Sequence, residues 1–415
     1  MIRTTNRFVA AALGLLLAAS ACENETLNRP FSNVPVDPLF ERYVSMGNSI
    51  TAGYQSGGIN DSTQLQAYPV LLARSMHSPF FAPLMRRPGC PPPYTNVFTG
   101  ARVSGGTPTT CALRVVPAQA PPYVSNTAVP AAEVIDIYNN LDTASNANPL
   151  TSFILGGMTQ AQMMARAEPT FVSVWIGNND VLGAATSSTN GGDSTRITAV
   201  ANFTARYGAL LDTVAAAGPR GVALIGVANV TAIPFFARGS TYWAIKNGLV
   251  PGSAFPAPFT VSANCAPISS GIPGARGDST LVPFPYGAAL IGAASPPTNL
   301  PRNLDCADTV PRIVVPRELV KLSTSVTAYN AYISAQATAR GWAYIDPNPT
   351  LDSLRTIATA VRAFPLIGQP CTANPFGTAF SCDAVHPSAA THRLLAEKLR
   401  QTINTAYTTA IPPIP

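Results

Sequence analysis

Two apolar runs limit the folds open to this chain more than any other feature. Phe171–Ile176 (FVSVWI) and Gly221–Val227 (GVALIGV) carry no charge and almost no polar side chain. A strand with this texture is buried on both faces, as in a parallel sheet covered by helices on each side. The segment between them, Thr195–Ala217, reads as a long helix, as a parallel crossover requires. The same alternation extends outward. Tyr43–Met46 suits a short buried strand, with Gly47 at a tight turn before a helix. Helices are expected at Tyr68–Met76, Ala131–Asn140, Gly157–Ala167 and Glu318–Arg340, a strand at Trp342–Ile345, and a last helix at about Ser388–Tyr407. Strands alternating with helices predict an α/β sandwich around a mainly parallel sheet.

The ends and the cysteines set the compartment. Arg3 and Arg7 precede an apolar run, Phe8–Ala19, that is short for a membrane span and is followed by Ser20, Ala21 and Cys22. This is the layout of an export signal over residues 1–21, and Cys22 resembles the acylated cysteine of a lipobox, with Ala19 where a larger aliphatic is usual. Plain cleavage near Ala21 is the alternative. By resemblance to other lipoproteins, Glu23 after the cysteine points to the outer membrane. Residues 22–40, with Pro30, Pro35 and Pro38, read as a tether, and residues 41–408 as the folded body.

The remaining six cysteines are an even number, as disulfides in an exported chain require. Sequence-local pairing is expected: Cys90 with Cys111, Cys265 with Cys306, Cys371 with Cys382. Metal binding is the poorer reading, because no Cys-x-x-Cys occurs and the chain has only 3 histidines. Charged residues make up 11% of the sequence, and Arg3 and Arg7 supply two units of its net +6. No basic cluster suggests a nucleic-acid partner. With 40 prolines and 30 glycines the body is loop-rich, above all over residues 79–123 and 239–311. The second stretch reads as an insertion whose Phe255, Phe259, Phe284 and Tyr286 are placed to form an apolar rim.

Four short segments carry chemistry. Gly47-Asn48-Ser49-Ile50 follows the first strand; Asn126-Thr127-Ala128-Val129-Pro130-Ala131 comes next; Gly177-Asn178-Asn179-Asp180 follows the FVSVWI strand; Asp383-Ala384-Val385-His386 lies near the C-terminus. In this order they resemble the four blocks of the SGNH/GDSL hydrolases. The resemblance implies a three-layer α/β/α sandwich with a flavodoxin-like sheet and a serine esterase or lipase without metal or cofactor. Ser49 is then the nucleophile, His386 its base and Asp383 the carboxylate that orients the imidazole. The oxyanion donors implied are the Ser49 N–H, the Ala131 N–H and the Asn179 side chain.

Each assignment has a plainer competitor. Ser49 alone would pass for a helix cap, and the literal Gly192-Asp193-Ser194 and Gly277-Asp278-Ser279 strings match the motif's name better but follow no strand. Asn48 replaces the motif's aspartate, which is not the triad acid. Ala131 replaces a glycine, so a turn of positive φ would strain it. His77 and His392 are expected to be surface or packing residues, and Asp180 a turn residue. The expected substrate is a small-molecule, lipid or glycan ester, with a membrane reached through the lipid anchor and the protein acting as a monomer. A carbohydrate O-acetyl esterase is the nearest rival, and a non-catalytic surface lipoprotein that binds glycan or lipid is the rival from another class.

Overall fold

The computed structural model describes residues 34–115, 123–139 and 149–415. Cys22 and the apolar N-terminal run lie outside them. The central sheet contains β1 (Tyr43–Gly47), β2 (Phe171–Trp175), β3 (Gly221–Ile225) and β4 (Ala343–Ile345), in that spatial order and all parallel. The segment around Asn126 runs along the other side of β1. There the Ser45 N–H donates to the Ser125 carbonyl (2.8 Å), and the Thr127 and Val129 N–H groups donate to Ser45 and Gly47 (2.9 and 3.1 Å). This segment is second in sequence but outermost in space, so the order is that of a flavodoxin-like sheet, which reverses direction of growth between β1 and β2. Open α/β sheets place their sites at that reversal.

Side chains alternate across the sheet as the pleat requires. Val44, Met46, Val172, Val174, Val222 and Leu224 meet one helical layer, formed by Gln160–Arg166, Val200–Ala216 and Pro316–Arg340. Tyr43, Phe171, Trp175, Ala223 and Ile225 meet the other, formed by Tyr68–Met76 and Ala389–Tyr407. The sandwich is therefore three-layered. In the first layer the Phe203 and Tyr329 rings stack 3.7 Å apart. Truncating Phe203 to alanine at that contact should cost about 3–5 kcal/mol. The Pro316–Arg340 helix begins with Glu318 reaching back to the Val315 N–H (3.0 Å) and stops where Gly341 turns left-handed (φ 66). Both ends of the body extend past the expected limits: Phe40 is buried edge-on against Phe171, and Ile411 and Ile414 pack into the second layer.

Two expectations need correction. The helix expected at Ala131–Asn140 is a single 3-10 turn, Ile135–Ile137, within the described residues. There Asp136 accepts from the Glu133 N–H (2.7 Å) and Asp180 from the Val134 N–H (3.0 Å), and the second bond ties this segment to the turn after β2. The 239–311 stretch is more than loop. It contains helices Gly239–Lys246 and Phe284–Ala294, a strand pair Phe259–Val261 with Arg302–Leu304, and its own core around Tyr242, Phe259, Cys265 and Cys306. Phe255 and Phe259 therefore face that small core, and of the four rim aromatics, among the described residues, Phe284 lines a cavity beside His386.

Candidate active site

The turn that carries Ser49 is held from both sides. At Gly47 a Cβ would lie 2.4 Å from Thr51 Oγ1 and 2.4 Å from the Trp175 carbonyl, so only glycine fits. The Gln160 amide spans the same residue, accepting from its N–H and donating to its C=O (2.9 Å each). Asn48 then caps the short Ser49–Ala52 helix by accepting from the Ile50 N–H (3.1 Å). Asparagine thus does what an aspartate would do as a cap, and Ser49 is left as the first helical residue, its side chain free to face the histidine.

Ser49 Oγ lies 2.9 Å from His386 Nε2, and His386 Nδ1 lies 2.8 Å from Asp383 Oδ2. Asp383 is densely solvated by the protein. Its Oδ1 accepts from the Val385 and His386 N–H groups (2.9 Å each) and from the Ser381 hydroxyl (3.0 Å), and its Oδ2 also accepts from the Gly57 N–H (2.6 Å). Burial pushes this carboxyl upward, but the charge of His386 and the hydrogen bonds outweigh it and hold the pKa at about 2. The acid is thus an anion throughout the neutral range, fixed to accept the imidazole Nδ1–H. Ala384, at φ 63, makes the bend that lets Asp383 and His386 meet.

The loop bearing them is stapled to the nucleophile side. Cys382, next to Asp383, is bonded to Cys371; the Cys382 N–H donates to the Ser56 hydroxyl (3.1 Å), and the Ser56 N–H donates to the Ser381 hydroxyl (2.8 Å). The Tyr54 ring sits 5.0 Å from the imidazole. The other two expected pairs, Cys90–Cys111 and Cys265–Cys306, are formed as well.

Of the three expected oxyanion donors, two are backbone groups left unengaged by the fold. Among the described residues, nothing accepts from the Ser49 or Ala131 N–H. Ala131 adopts φ 66, so the turn does require a left-handed residue, and alanine bears the strain there. Asn179 lines the same cavity as Ser49 and His386 and donates one amide hydrogen to the Ala132 carbonyl (2.8 Å), leaving its second hydrogen. That bond also ties the Asn179 turn to the Ala131 loop.

Asp180 lies directly behind this pair. It is fully buried, accepts from the Val134 N–H through Oδ2, and has no partner for Oδ1. Burial first, and then the charge of nearby Glu133, raise its pKa to about 7 against the pull of Val134, Thr198 and Arg206. Sequence reading gave Asp180 only a turn role and did not identify Gln160, Gly57 or Ser381. No motif marks these last three; each is found only because the fold carries it to the triad. His77 closes the Tyr68–Met76 helix at φ 52. His392 is buried against Tyr68, and burial together with nearby His386 lowers its pKa to about 3, leaving it a neutral packing residue. Of the two literal GDS strings, Gly277–Ser279 is a 3-10 turn and Asp193 caps another that begins at Ser194; neither string lines the two cavities beside His386.

A serine, a histidine and an aspartate linked by hydrogen bonds, beside free donors at the reversal point of a parallel sheet, make the arrangement that ester hydrolysis requires. The chain belongs to the GDSL-like lipase/acylhydrolase family, whose sequence model matches residues 43–399, and it is an ester-hydrolysing enzyme. No curated protein matches it. Among solved structures, it is similar to LAE5, an alpha/beta hydrolase enzyme from the metagenome of Lake Arreo, Spain, at 11% identity over 90% of this chain and 98% of that one, with a TM-score of 0.38. It is also similar to a catalytic mutant of Axe2, an acetylxylan esterase from Geobacillus stearothermophilus, at 12% identity over 89% and 95% of the two chains, with a TM-score of 0.34.

Proposed function

We propose that the enzyme cleaves carboxylic esters through an acyl-enzyme on Ser49. The supporting observation is the unbroken relay from Ser49 Oγ to His386 Nε2, and from His386 Nδ1 to Asp383 Oδ2, at 2.9 and 2.8 Å. His386 takes the Ser49 proton as Oγ bonds to the ester carbonyl carbon. The resulting oxyanion is received by the Ser49 and Ala131 N–H groups and the free Asn179 amide hydrogen, and removing one such donor typically costs about 10²–10³ in kcat. The C–O bond to the alcohol then breaks as His386 returns its proton to the leaving oxygen. Water, deprotonated by His386, attacks the acyl carbon; the acid leaves and Ser49 recovers its proton.

A fluorophosphonate probe tests this directly. Wild-type protein should be labelled at Ser49 and the Ser49→Ala variant should not; an unlabelled wild type overturns the reading. We further propose export with lipid anchoring at Cys22, which the signal-like N-terminus supports and the three disulfides suit. Radiolabelled palmitate should enter the wild type in a bacterial host and be absent from Cys22→Ser.

A further inference from the structure

One polar side chain of the Ser49 cavity has no task within the fold. Asn178 follows β2, directly precedes Asn179 at the start of the Asn179–Ala185 helix, and is only 5% exposed. An asparagine at such a position ordinarily caps the helix by accepting from an N–H of the first turn, as Asn48 does before Ser49. That cap needs an extended backbone at the asparagine, and Asn48 has one (φ −107, ψ −153). Asn178 is already helical (φ −64, ψ −39), and its side chain makes no cap bond. Among the described residues no donor meets its Oδ1 and no acceptor meets its Nδ2. A half-turn about χ2 exchanges the two ends without changing that count. An enclosed amide without a partner destabilises a fold, where an apolar side chain of the same size would not.

The cavity supplies a reason for keeping it. Leu182 lies four residues on, one turn along the same face of the helix, and it borders with Asn178 the cavity shared by Ser49, Asn179 and His386. The rest of that lining is largely apolar, with Trp175, Val230, Ile233, Leu351 and Phe380. Its charged residues besides His386 are Asp352 and Arg355, which face each other at 3.5 Å. Consecutive Cα atoms are about 3.8 Å apart. A substrate whose carbonyl oxygen meets the Asn179 amide therefore carries, within a few bonds of that carbonyl, the group that meets Asn178. A hydroxyl fits best, because it donates to Oδ1 or accepts from Nδ2 and so serves the amide in either orientation; a carbonyl or an ammonium serves only one. It is also uncharged, as a largely apolar lining demands.

Resting on the acyl-enzyme reading above, we infer that Asn178 is a specificity-determining residue whose amide pairs with a substrate hydroxyl, so that the enzyme prefers esters bearing a hydroxyl within a few bonds of the scissile carbonyl. Hydroxy-acyl groups and polyol alcohols both supply one, and two matched pairs of substrates separate them. The full-length wild type, Asn178→Leu and Asn178→Ala are assayed for kcat/KM on 2-hydroxyethyl acetate against propyl acetate, and on ethyl glycolate against ethyl propionate. In each pair a hydroxyl replaces a methyl, on the alcohol side in the first and on the acyl side in the second. The intrinsic reactivity of each ester is common to all three enzymes and cancels when their hydroxyl-to-methyl ratios are compared.

In one pair that ratio should fall at least about fivefold from wild type to each variant, and the pair that responds shows which side of the ester carries the hydroxyl. A smaller fall in both pairs, or a rise, overturns the inference. A purely structural role for Asn178 would slow all four esters alike and leave the ratios unmoved. Because its side chain has no partner in the fold, both variants should also melt within about 4 °C of wild type; a larger fall would mean that the amide serves the fold, and overturns the inference as well. Fluorophosphonate labelling separates the failures: a labelled wild type with unmoved ratios refutes only the role of Asn178, whereas an unlabelled one refutes the acyl-enzyme itself.

Discussion

Two buried aspartates stand behind the active site, and their surroundings shift their pKa values in opposite directions. The loop at 381–386 gives Asp383 three backbone N–H donors, a serine hydroxyl and a histidine, and its pKa falls to about 2. The turn at 178–180 gives Asp180 one backbone donor, leaves Oδ1 without a partner and sets Glu133 nearby, and its pKa rises to about 7. Both are buried, so burial alone does not set the pKa of a carboxyl; the neighbouring charge and the donors aimed at it do. The difference suits their roles. Asp383 must remain an anion to hold the imidazole, whereas Asp180 only pegs the loop carrying Ala131 to the turn carrying Asn179.

Replacing each aspartate by asparagine should break the comparison most visibly. Asp383→Asn is expected to lower kcat/KM by about 10³–10⁴, and Asp180→Asn by less than about tenfold; comparable losses in steady-state assays would show that Asp180 is more than a peg. The next effect is on stability. Because folding raises the Asp180 pKa, the folded state holds a proton that the unfolded chain has released between about pH 4 and 7. Stability therefore falls across that window as pH rises, by about 4 kcal/mol. Chemical denaturation at pH 5 and pH 8 should show this slope in the wild type and a flatter one in Asp180→Asn.

The staple tests how far the rigid loop depends on its covalent brace. Cys371→Ala opens a bridge spanning 11 residues and should cost about 3 kcal/mol. Activity should fall further than the lost folded fraction explains, because Asp383 adjoins Cys382. Full specific activity of the folded variant would show that the hydrogen bonds alone hold the loop. At the acid end the sign reverses. The Asp383 pKa is depressed by folding, so its contribution is complete above about pH 4 and is lost as pH falls toward about 2, amounting to about 2 kcal/mol. That part of the acid limb should be missing from denaturation curves of Asp383→Asn. Smallest is Ala131→Gly, which relieves the left-handed strain but loosens the unfolded chain, for a net change within about 1 kcal/mol by thermal melting. A larger destabilisation would mean that the alanine methyl makes a packing contribution.

Much of this was readable in the residues. FVSVWI and GVALIGV lie at β2 and β3 because an unbroken apolar run fits only a strand covered on both faces. Ser49, Asp383 and His386 were readable because each belongs to a short block whose neighbours fix its local geometry. The helix expected after Ala131 is a single 3-10 turn, and the bond from the Val134 N–H to Asp180, 46 positions away, was not legible in the local pattern. The small core within 239–311 was hidden by its glycine and proline content, which reads as loop even where helices form.

The sequence by itself determined the layered α/β plan and the blocks that hold Ser49, Asp383 and His386, since apolar period and block order are properties of neighbouring residues; the local pairing of the cysteines it only suggested. Only the tertiary structure decided that Gln160 clamps Gly47 from 113 positions away, that Gly57 donates to an aspartate 326 positions distant, and that Phe98, Phe235 and Phe284 meet in one cavity. It also shifted the two aspartates in opposite directions, because a carboxyl's pKa is set by donors and charges that folding gathers from segments with no pattern in common.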